Sequence, residues 1–282
     1  MKSIITFLLI CISFTVFSQK EFQGKAVYQS KTSFDMSRFG NREMSEQQKK
    51  QIMDRMKNML EKTYVLNFNK TTSIYKEEEK LEAPGRGGFG FGGFSGGVQY
   101  KNTSEKKFLE SIEFFGKKFL IQEEESLPEW EMTAETKQIG EYICYKATML
   151  KSTDAFDWRN MRRRGRRDNK PKDSTHVKTV TDEIEMPKQI LVTAWYTPQI
   201  PVSNGPGMYW GLPGLILEVN SGNTTVLCTE VVLNTKEKLE IEEPTKGEEV
   251  TREEYNSIVK KKMEEMREMW RGRRGGGRPS RR

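Results

Sequence analysis

Short runs of alternating apolar and polar residues cover most of the chain between positions 24 and 233. In residues 141–151, Ile143, Tyr145 and Ala147 fall on one side of such a run, while Cys144 and Thr148 fall on the other. Because successive side chains of a strand point to opposite faces, this period of two predicts strands with one buried face. Similar runs lie at 24–34, 63–69, 71–78, 98–101, 107–115, 118–124, 131–138, 186–196, 215–220 and 224–233.

Two segments, one near each end, change to helical spacing. Ser45 and Gln48 form a capping-box pattern, and the apolar residues after them recur at helical intervals, which predicts a helix over 45–62. Thr251 and Glu254 repeat this pattern after Pro244. The apolar stripe of a second helix follows at Tyr255, Ile258, Val259, Met263, Met266 and Trp270.

These elements predict a mainly β fold of the β-rich α+β type. Because the strands follow one another through short connections, we expect an antiparallel, strongly curved sheet or a partly open barrel. One helix lies near each end. Residues 20–270 are predicted to form a single domain.

Three stretches interrupt the pattern. Residues 83–97 contain eight glycines and three phenylalanines, and glycine at this density favours a flexible insert. Residues 154–178 form a second insert, which is basic, and residues 271–282 hold six arginines and no apolar residue. The last stretch is predicted to be a disordered tail.

The first residues are typical of a signal peptide, with Lys2 followed by an apolar run from Ile4 to Val16. Cleavage is expected after Gln19, so residues 1–19 would be removed. No later run is long enough for a membrane-spanning helix, so the mature chain is expected to have none. The protein is therefore predicted to be exported to the periplasm, associated with the outer membrane, or secreted.

The most distinctive stretch lies between positions 191 and 219. It contains Ala194-Trp195-Tyr196-Thr197-Pro198, then Ile200-Pro201 and Gly205-Pro206, and ends in Gly211-Leu212-Pro213-Gly214-Leu215-Ile216. This last hexamer resembles the GLPGLI family of secreted Gram-negative bacterial proteins. The resemblance extends over residues 24–30 and 98–233 apart from the basic insert. It implies an exported protein with a general β-rich fold, and it carries over no catalytic residue, because the family has no assigned activity.

Two interpretations of this stretch remain open. Trp195, Tyr196, Tyr209 and Trp210, held by prolines, could form a rigid aromatic platform for a ligand. Alternatively, the aromatic residues and glycines only shape a crossing between strands. Pro213-Gly214 predicts a type II turn, in which glycine takes the position with positive φ.

Cysteine and methionine suggest two further kinds of site. Cys144 and Cys228 could form a disulfide in an exported protein, or they could be separate buried thiols. Methionines recur at intervals of three on both predicted helices, and their thioethers could bind Cu(I) if the helices pack together. The alternative is ordinary core packing. These residues are Met53, Met56, Met59, Met263, Met266 and Met269.

Arginine supplies the remaining candidate site. Six arginines within nine residues of the basic insert could bind an anionic partner: Arg159, Arg162, Arg163, Arg164, Arg166 and Arg167. The alternative is a solvated insert without a partner. No nucleic-acid partner is expected, because the signal peptide directs the chain out of the cytoplasm.

The chain is not expected to be an enzyme, and no cofactor is predicted. His176 is its one histidine and lies in the polar insert, whereas a nucleophile needs a positioned base. The sequence thus predicts an envelope-associated binding or structural module. Its partner would be an envelope protein or an anionic lipid or lipopolysaccharide surface. The alternative function is a methionine-rich periplasmic protein that handles copper.

Overall fold

The described structure consists of strands and two helices. The computed structural model describes residues 22–33, 45–78, 97–124, 128–152 and 189–275. The helices are α1 (Glu46–Leu60) and α2 (Arg252–Gly275). The strands are β1 (Gln23–Thr32), β2 (Glu61–Asn69), β3 (Thr72–Glu77), β4 (Val98–Asn102), β5 (Lys107–Phe114), β6 (Lys117–Glu124), β7 (Glu131–Ile139), β8 (Tyr142–Ser152), β9 (Gln189–Thr197), β10 (Leu215–Ser221), β11 (Thr224–Leu233) and β12 (Glu248–Val250).

All twelve strands belong to one sheet, and the first strand lies near its middle. The order is β12-β6-β5-β4-β3-β2-β1-β11-β10-β9-β8-β7. β1 pairs antiparallel with β2 on one side and with β11 on the other, so it joins the run β2–β6 to the run β7–β11. Among the described strands, only β12 is parallel to its neighbour, β6. The outermost strands do not pair with each other, so the sheet is not closed into a barrel. The predicted β-rich fold is confirmed.

The N-terminal ends of both helices have the capping boxes that the sequence predicts. Ser45 Oγ accepts from the Gln48 N–H, and the Gln48 side chain accepts from the Ser45 N–H, which completes a capping box. Thr251 and Glu254 make the same reciprocal bonds at the start of α2. α2 then continues to Gly275, so it extends into the segment that was predicted to be a disordered tail.

The core consists of several clusters distributed along the sheet. The largest joins β1, β2 and β3 to β8, β10 and β11, with Tyr28, Leu66 and Phe68 fully buried. A second cluster surrounds Val192, Ala194 and Ile216 on β9 and β10. A third is formed where Tyr255 and Val259 of α2 pack on β5 and β6. The sheet therefore buries apolar surface along most of its width.

Candidate functional site

Residues 198–214, the signature segment, connect β9 to its neighbour β10 and cross the sheet. The N–H groups of Leu215 and Ile216 donate to the carbonyl oxygens of Ile200 and Asn204, both at 3.0 Å. Lys101 Nζ, from β4, donates to the Gly205 carbonyl oxygen at 2.7 Å. Four strands separate β4 from β10 in the sheet. The signature segment therefore ties together distant parts of the sheet.

The turn at Pro213 is not the type II turn that the sequence predicted. Such a turn needs a positive φ at Gly214, whereas the positive φ values nearby belong to Gly207 (61°) and Gly211 (91°). The Gly214 N–H donates to the Leu212 carbonyl oxygen at 2.8 Å, which closes a three-residue turn around Pro213. Glycine is needed at 214 because a side chain there would overlap the Thr197 backbone.

The four aromatic residues of the predicted platform do not share one exposed surface. Tyr196 and Trp210 are buried, at 6% and 5% exposure. Trp195 and Tyr196 are consecutive strand residues, so their side chains point to opposite faces of the sheet. Tyr209 packs against Trp130, with ring centroids 6.4 Å apart, and the Trp130 Nε1–H donates to the Trp210 carbonyl oxygen. This arrangement favours the interpretation that these residues shape a strand crossing.

Trp195 takes part in a separate polar arrangement. Lys137 Nζ lies 5.1 Å from the centroid of the Trp195 ring and 2.5 Å from Glu218 Oε2. The other oxygen of Glu218 accepts from Asn220 Nδ2. The Glu218 side chain is only 11% exposed, and a buried carboxylate is costly unless it is paired. The Lys137 ammonium and the Asn220 amide provide this pairing. These contacts fix Trp195 against the sheet.

The two cysteines of the described chain lie in the same core cluster as free thiols. Cys144 is on β8 and Cys228 on β11, and both are buried. Burial raises the pKa of the Cys144 thiol to about 11 and that of the Cys228 thiol to about 12. A protonated thiol is a poor nucleophile, so neither group is activated for covalent chemistry. The predicted disulfide would have to form inside this cluster.

The two methionine triplets lie on helices that contact different strands. α1, with Met53, Met56 and Met59, contacts β1 and β2, whereas α2 packs on β5 and β6. β3 and β4 separate these pairs in the sheet. Met263 packs in the cluster below α2, and Met269 is 61% exposed. The side chains of Met53, Met56 and Met59 lie outside the described part of the structure. Binding of Cu(I) stays a prediction.

Other candidate groups lie outside the described residues. These are His176 and the six arginines of the basic insert: Arg159, Arg162, Arg163, Arg164, Arg166 and Arg167. Within the described ranges, no group of three or more His, Cys, Asp or Glu side chains is placed to hold a metal ion. None of the described helices is both long and apolar enough to cross a membrane.

Two exposed leucines on β8 and β9 have no distinguishing pattern in the sequence. Leu150 and Leu191 stand directly opposite each other, so they share one face of the sheet. They are 65% and 57% exposed. Two more pairs follow the leucine pair, Lys151 with Ile190 and then Ser152 with Gln189, and the pairing of β8 with β9 ends there. The leucine pair therefore lies where the chain leaves the sheet for the basic insert.

One protein-family model matches part of the chain. Residues 130–218 match the model of a family described as "Protein of unknown function (Porph_ging)". This match covers β7–β9 and the signature segment, and the GLPGLI resemblance by name stays a prediction. No curated protein sequence matches the chain.

A comparison with solved structures finds two crystal forms of one protein. The chain resembles PNGF-II in its C2 and P21 crystal forms, with TM-scores of 0.48 and 0.47 and 13% identity in each case. The similarity covers 84% and 85% of this chain, and 32% and 33% of the PNGF-II chains. The chain thus spans about a third of the length of these proteins.

Proposed function

We propose that the protein is an exported, non-catalytic binding module that attaches to an anionic lipid surface of the envelope. The attachment site is the end of the β8–β9 pair. The exposed, directly opposed leucines at this end carry the proposal, because they stand beside the connection that contains the arginine cluster.

The leucine pair provides the apolar part of this attachment. Full burial of a leucine side chain contributes about 1.5–3 kcal/mol. Leu150 and Leu191 both keep more than half of their surface exposed, so a membrane interface can still remove that surface from water. Contiguous exposed apolar surface is typical of interaction sites, and the two leucines are contiguous because they are directly opposed.

The basic insert provides the electrostatic part. The connection between Ser152 and Gln189 contains six arginines within nine residues. A basic residue near an anionic membrane contributes about 1 kcal/mol, and stable peripheral binding generally needs two kinds of signal. The leucine pair at the end of β8–β9 and the arginines in the chain segment that connects these two strands supply both signals.

Vesicle sedimentation tests the proposal. The exported protein is mixed with vesicles of phosphatidylcholine alone or with added phosphatidylglycerol, at low and high salt. We expect binding to the anionic vesicles only, weakened by salt because the charges are screened. Leu150→Ser/Leu191→Ser should lower the affinity by about tenfold. Deletion of residues 159–167 should remove the salt dependence.

A matched pair of apolar residues serves as the control. Leu227 and Val232 on β11 are 37% and 38% exposed, and they lie away from the end of β8–β9. Leu227→Ser/Val232→Ser should bind vesicles like the original chain. Equal binding by the Leu150/Leu191 variant would contradict the proposal. Envelope association in cells without any vesicle binding would indicate a protein partner instead.

A further inference from the structure

A row of polar side chains crosses six strands of the sheet behind the leucine pair. Each member is directly opposite the next one on a neighbouring strand, so all of them share one face of the sheet. Thr148 comes two residues before Leu150, and Thr193 comes two residues after Leu191, so this is also the face of the leucine pair. We name it the polar row. From β7 to β1 its members are Glu131, Thr148, Thr193, Asn220, Thr225 and Lys31.

The centre of the polar row is accessible and offers hydrogen bonds. Thr148 and Thr193 are partly exposed, and neither hydroxyl group makes a hydrogen bond within the described part of the chain. The Asn220 amide accepts from Thr225 Oγ1 at 2.7 Å and donates to Glu218 Oε1 at 2.8 Å. These two bonds fix the orientation of the amide, while its oxygen and nitrogen each keep capacity for a further bond. The row therefore presents donors and acceptors in fixed positions.

The polar row lies at the depth of lipid headgroups when the leucine pair is inserted. An apolar surface at a membrane interface is buried about 5–10 Å deep, at the boundary between headgroups and acyl chains. Two residues of a strand span about 7 Å. The β10–β11 hairpin reaches the level of the leucine pair, because Ser221 is opposite Val192, the neighbour of Leu191. β8–β11 together therefore place the row among the headgroups.

The chemistry of the polar row fits a saccharide better than a bare phosphate. Hydroxyl and amide groups both donate and accept, as sugar hydroxyl groups do, whereas a phosphate only accepts. At the β7 end, the Glu131 carboxylate can accept from a hydroxyl group but repels phosphate. At the β1 end, the Lys31 side chain is 75% exposed, and its 3.6 Å pair with Glu61 is weak enough to be exchanged for a phosphate.

We propose that the polar row binds the saccharide headgroup of a phosphorylated glycolipid. Sugar hydroxyl groups lie over Thr148, Thr193 and Asn220, and a phosphate group lies at Lys31. Thr193 and Lys31 are three strands apart, or about 14 Å, which requires a headgroup longer than one sugar ring. The inference rests on the proposed attachment through the leucine pair. Leucines and arginines serve any anionic membrane, whereas the polar row distinguishes one headgroup from another.

Vesicle sedimentation with two anionic lipids tests this selection. Phosphatidylcholine vesicles carry either phosphatidylglycerol or diphosphorylated lipid A, a glucosamine disaccharide lipid, at equal surface charge. We expect about tenfold higher affinity for the lipid A vesicles, because hydrogen bonds to two or three fixed groups contribute about this factor. Thr148→Val/Thr193→Val keeps the β-branched shape and should reduce the ratio of affinities to about one. Thr136→Val/Thr229→Val changes exposed threonines outside the row and should keep the ratio.

A water-soluble headgroup separates this inference from the proposed function. Titration with the deacylated disaccharide phosphate measures the polar row without a membrane. The original chain and Leu150→Ser/Leu191→Ser should bind this saccharide equally, and Thr148→Val/Thr193→Val should bind it at least tenfold more weakly. Saccharide binding without any vesicle binding would overturn the proposed attachment alone.

Two results would overturn the saccharide assignment and leave the leucine attachment in place. One is equal affinity of the original chain for the two kinds of vesicle, which tests the inference even if the double threonine variant does not fold. The other is an unchanged ratio of affinities in a folded Thr148→Val/Thr193→Val variant, with folding checked by circular dichroism.

Discussion

Gly214 lies against the main chain of Thr197, where β9 ends and β10 begins. A Cβ atom on Gly214 would overlap the Thr197 carbonyl oxygen and stand 2.5 Å from its carbonyl carbon. Leu215, the next residue, pairs with Thr197 in the sheet. The glycine thus permits the signature segment to return to the sheet beside the strand that it left.

Gly214→Ala should destabilise the fold. Because the methyl group would meet backbone atoms, which cannot move aside like the end of a side chain, β9 and β10 would have to separate. We expect a loss of about 2–3 kcal/mol in the free energy of unfolding, measured by urea denaturation. Gly140→Asn is the control, because Gly140 has a positive φ that asparagine tolerates and open space around its Cβ position. Equal losses in both variants would contradict the close-approach explanation.

The local elements were predictable from sequence because their signals are local. The capping boxes at Ser45 and Thr251 need only residues within one helical turn, and the alternation along residues 141–151 needs only a single strand. β12 was not predicted, because Glu248–Val250 is too short to show alternation and pairs with a strand more than a hundred residues away. The central position of β1 likewise depends on pairing with β11, which no local pattern records.

The candidate site was less predictable than the fold. The sequence places Trp195, Tyr196, Tyr209 and Trp210 close together along the chain, but their burial depends on packing across the sheet. Conversely, Leu150 and Leu191 are ordinary strand residues until their register is known. Gly214 shows the same limit, because a glycine that permits close approach and a glycine that permits positive φ are identical in sequence.

Arg252→Met should weaken the attachment of α2 to the sheet. Its guanidinium pairs with Glu110 at 2.5 Å and also with Glu123, and the three side chains are 24%, 11% and 20% exposed. Burial lowers the pKa of Arg252, but the attraction of the two carboxylates more than offsets this effect and raises it overall. Removing the cation leaves two carboxylates poorly solvated beside each other.

We expect the Arg252→Met variant to lose about 3 kcal/mol of stability, measured by urea denaturation. Lys262→Met is the control, because Lys262 forms only an exposed pair with Glu265 and its loss should be close to zero. A loss for Arg252→Met no larger than that for Lys262→Met would show that the pair does not hold α2 in place.

Stability should fall as the pH rises above 9. The ordinary pKa of a cysteine thiol is 9.0. Burial raises the pKa to about 11 for Cys144 and about 12 for Cys228. Above pH 9 the unfolded thiols lose protons that the folded thiols keep. Their contribution is therefore complete below pH 9 and is lost as the pH approaches the folded pKa, at about 1.4 kcal/mol per thiol and pH unit.

Urea denaturation between pH 8 and pH 11 under reducing conditions measures this loss. Cys228→Ala should reduce the slope above pH 9 by about 1.4 kcal/mol per pH unit. Burial also raises the pKa of Tyr64 and Tyr255 to about 12, so these phenols act in the same direction above pH 10. An unchanged slope in Cys228→Ala would contradict the assignment to this thiol.

Intact mass after alkylation of the unfolded, non-reduced protein would separately show whether the two cysteines are bonded.

Tyr28→Phe should lower the stability of the fold and Tyr255→Phe should not, although both remove one buried hydroxyl group. The Tyr28 hydroxyl donates to the Ile216 carbonyl oxygen at 2.7 Å, which links β1 to β10 across β11. Its removal leaves that carbonyl without the donor and should cost about 1–3 kcal/mol. The buried Tyr255 hydroxyl has no hydrogen-bond partner among the residues that the structure describes, so its removal should be neutral or stabilising. Thermal and urea denaturation of the two variants measure the difference, and an equal loss of stability in both would contradict these assignments.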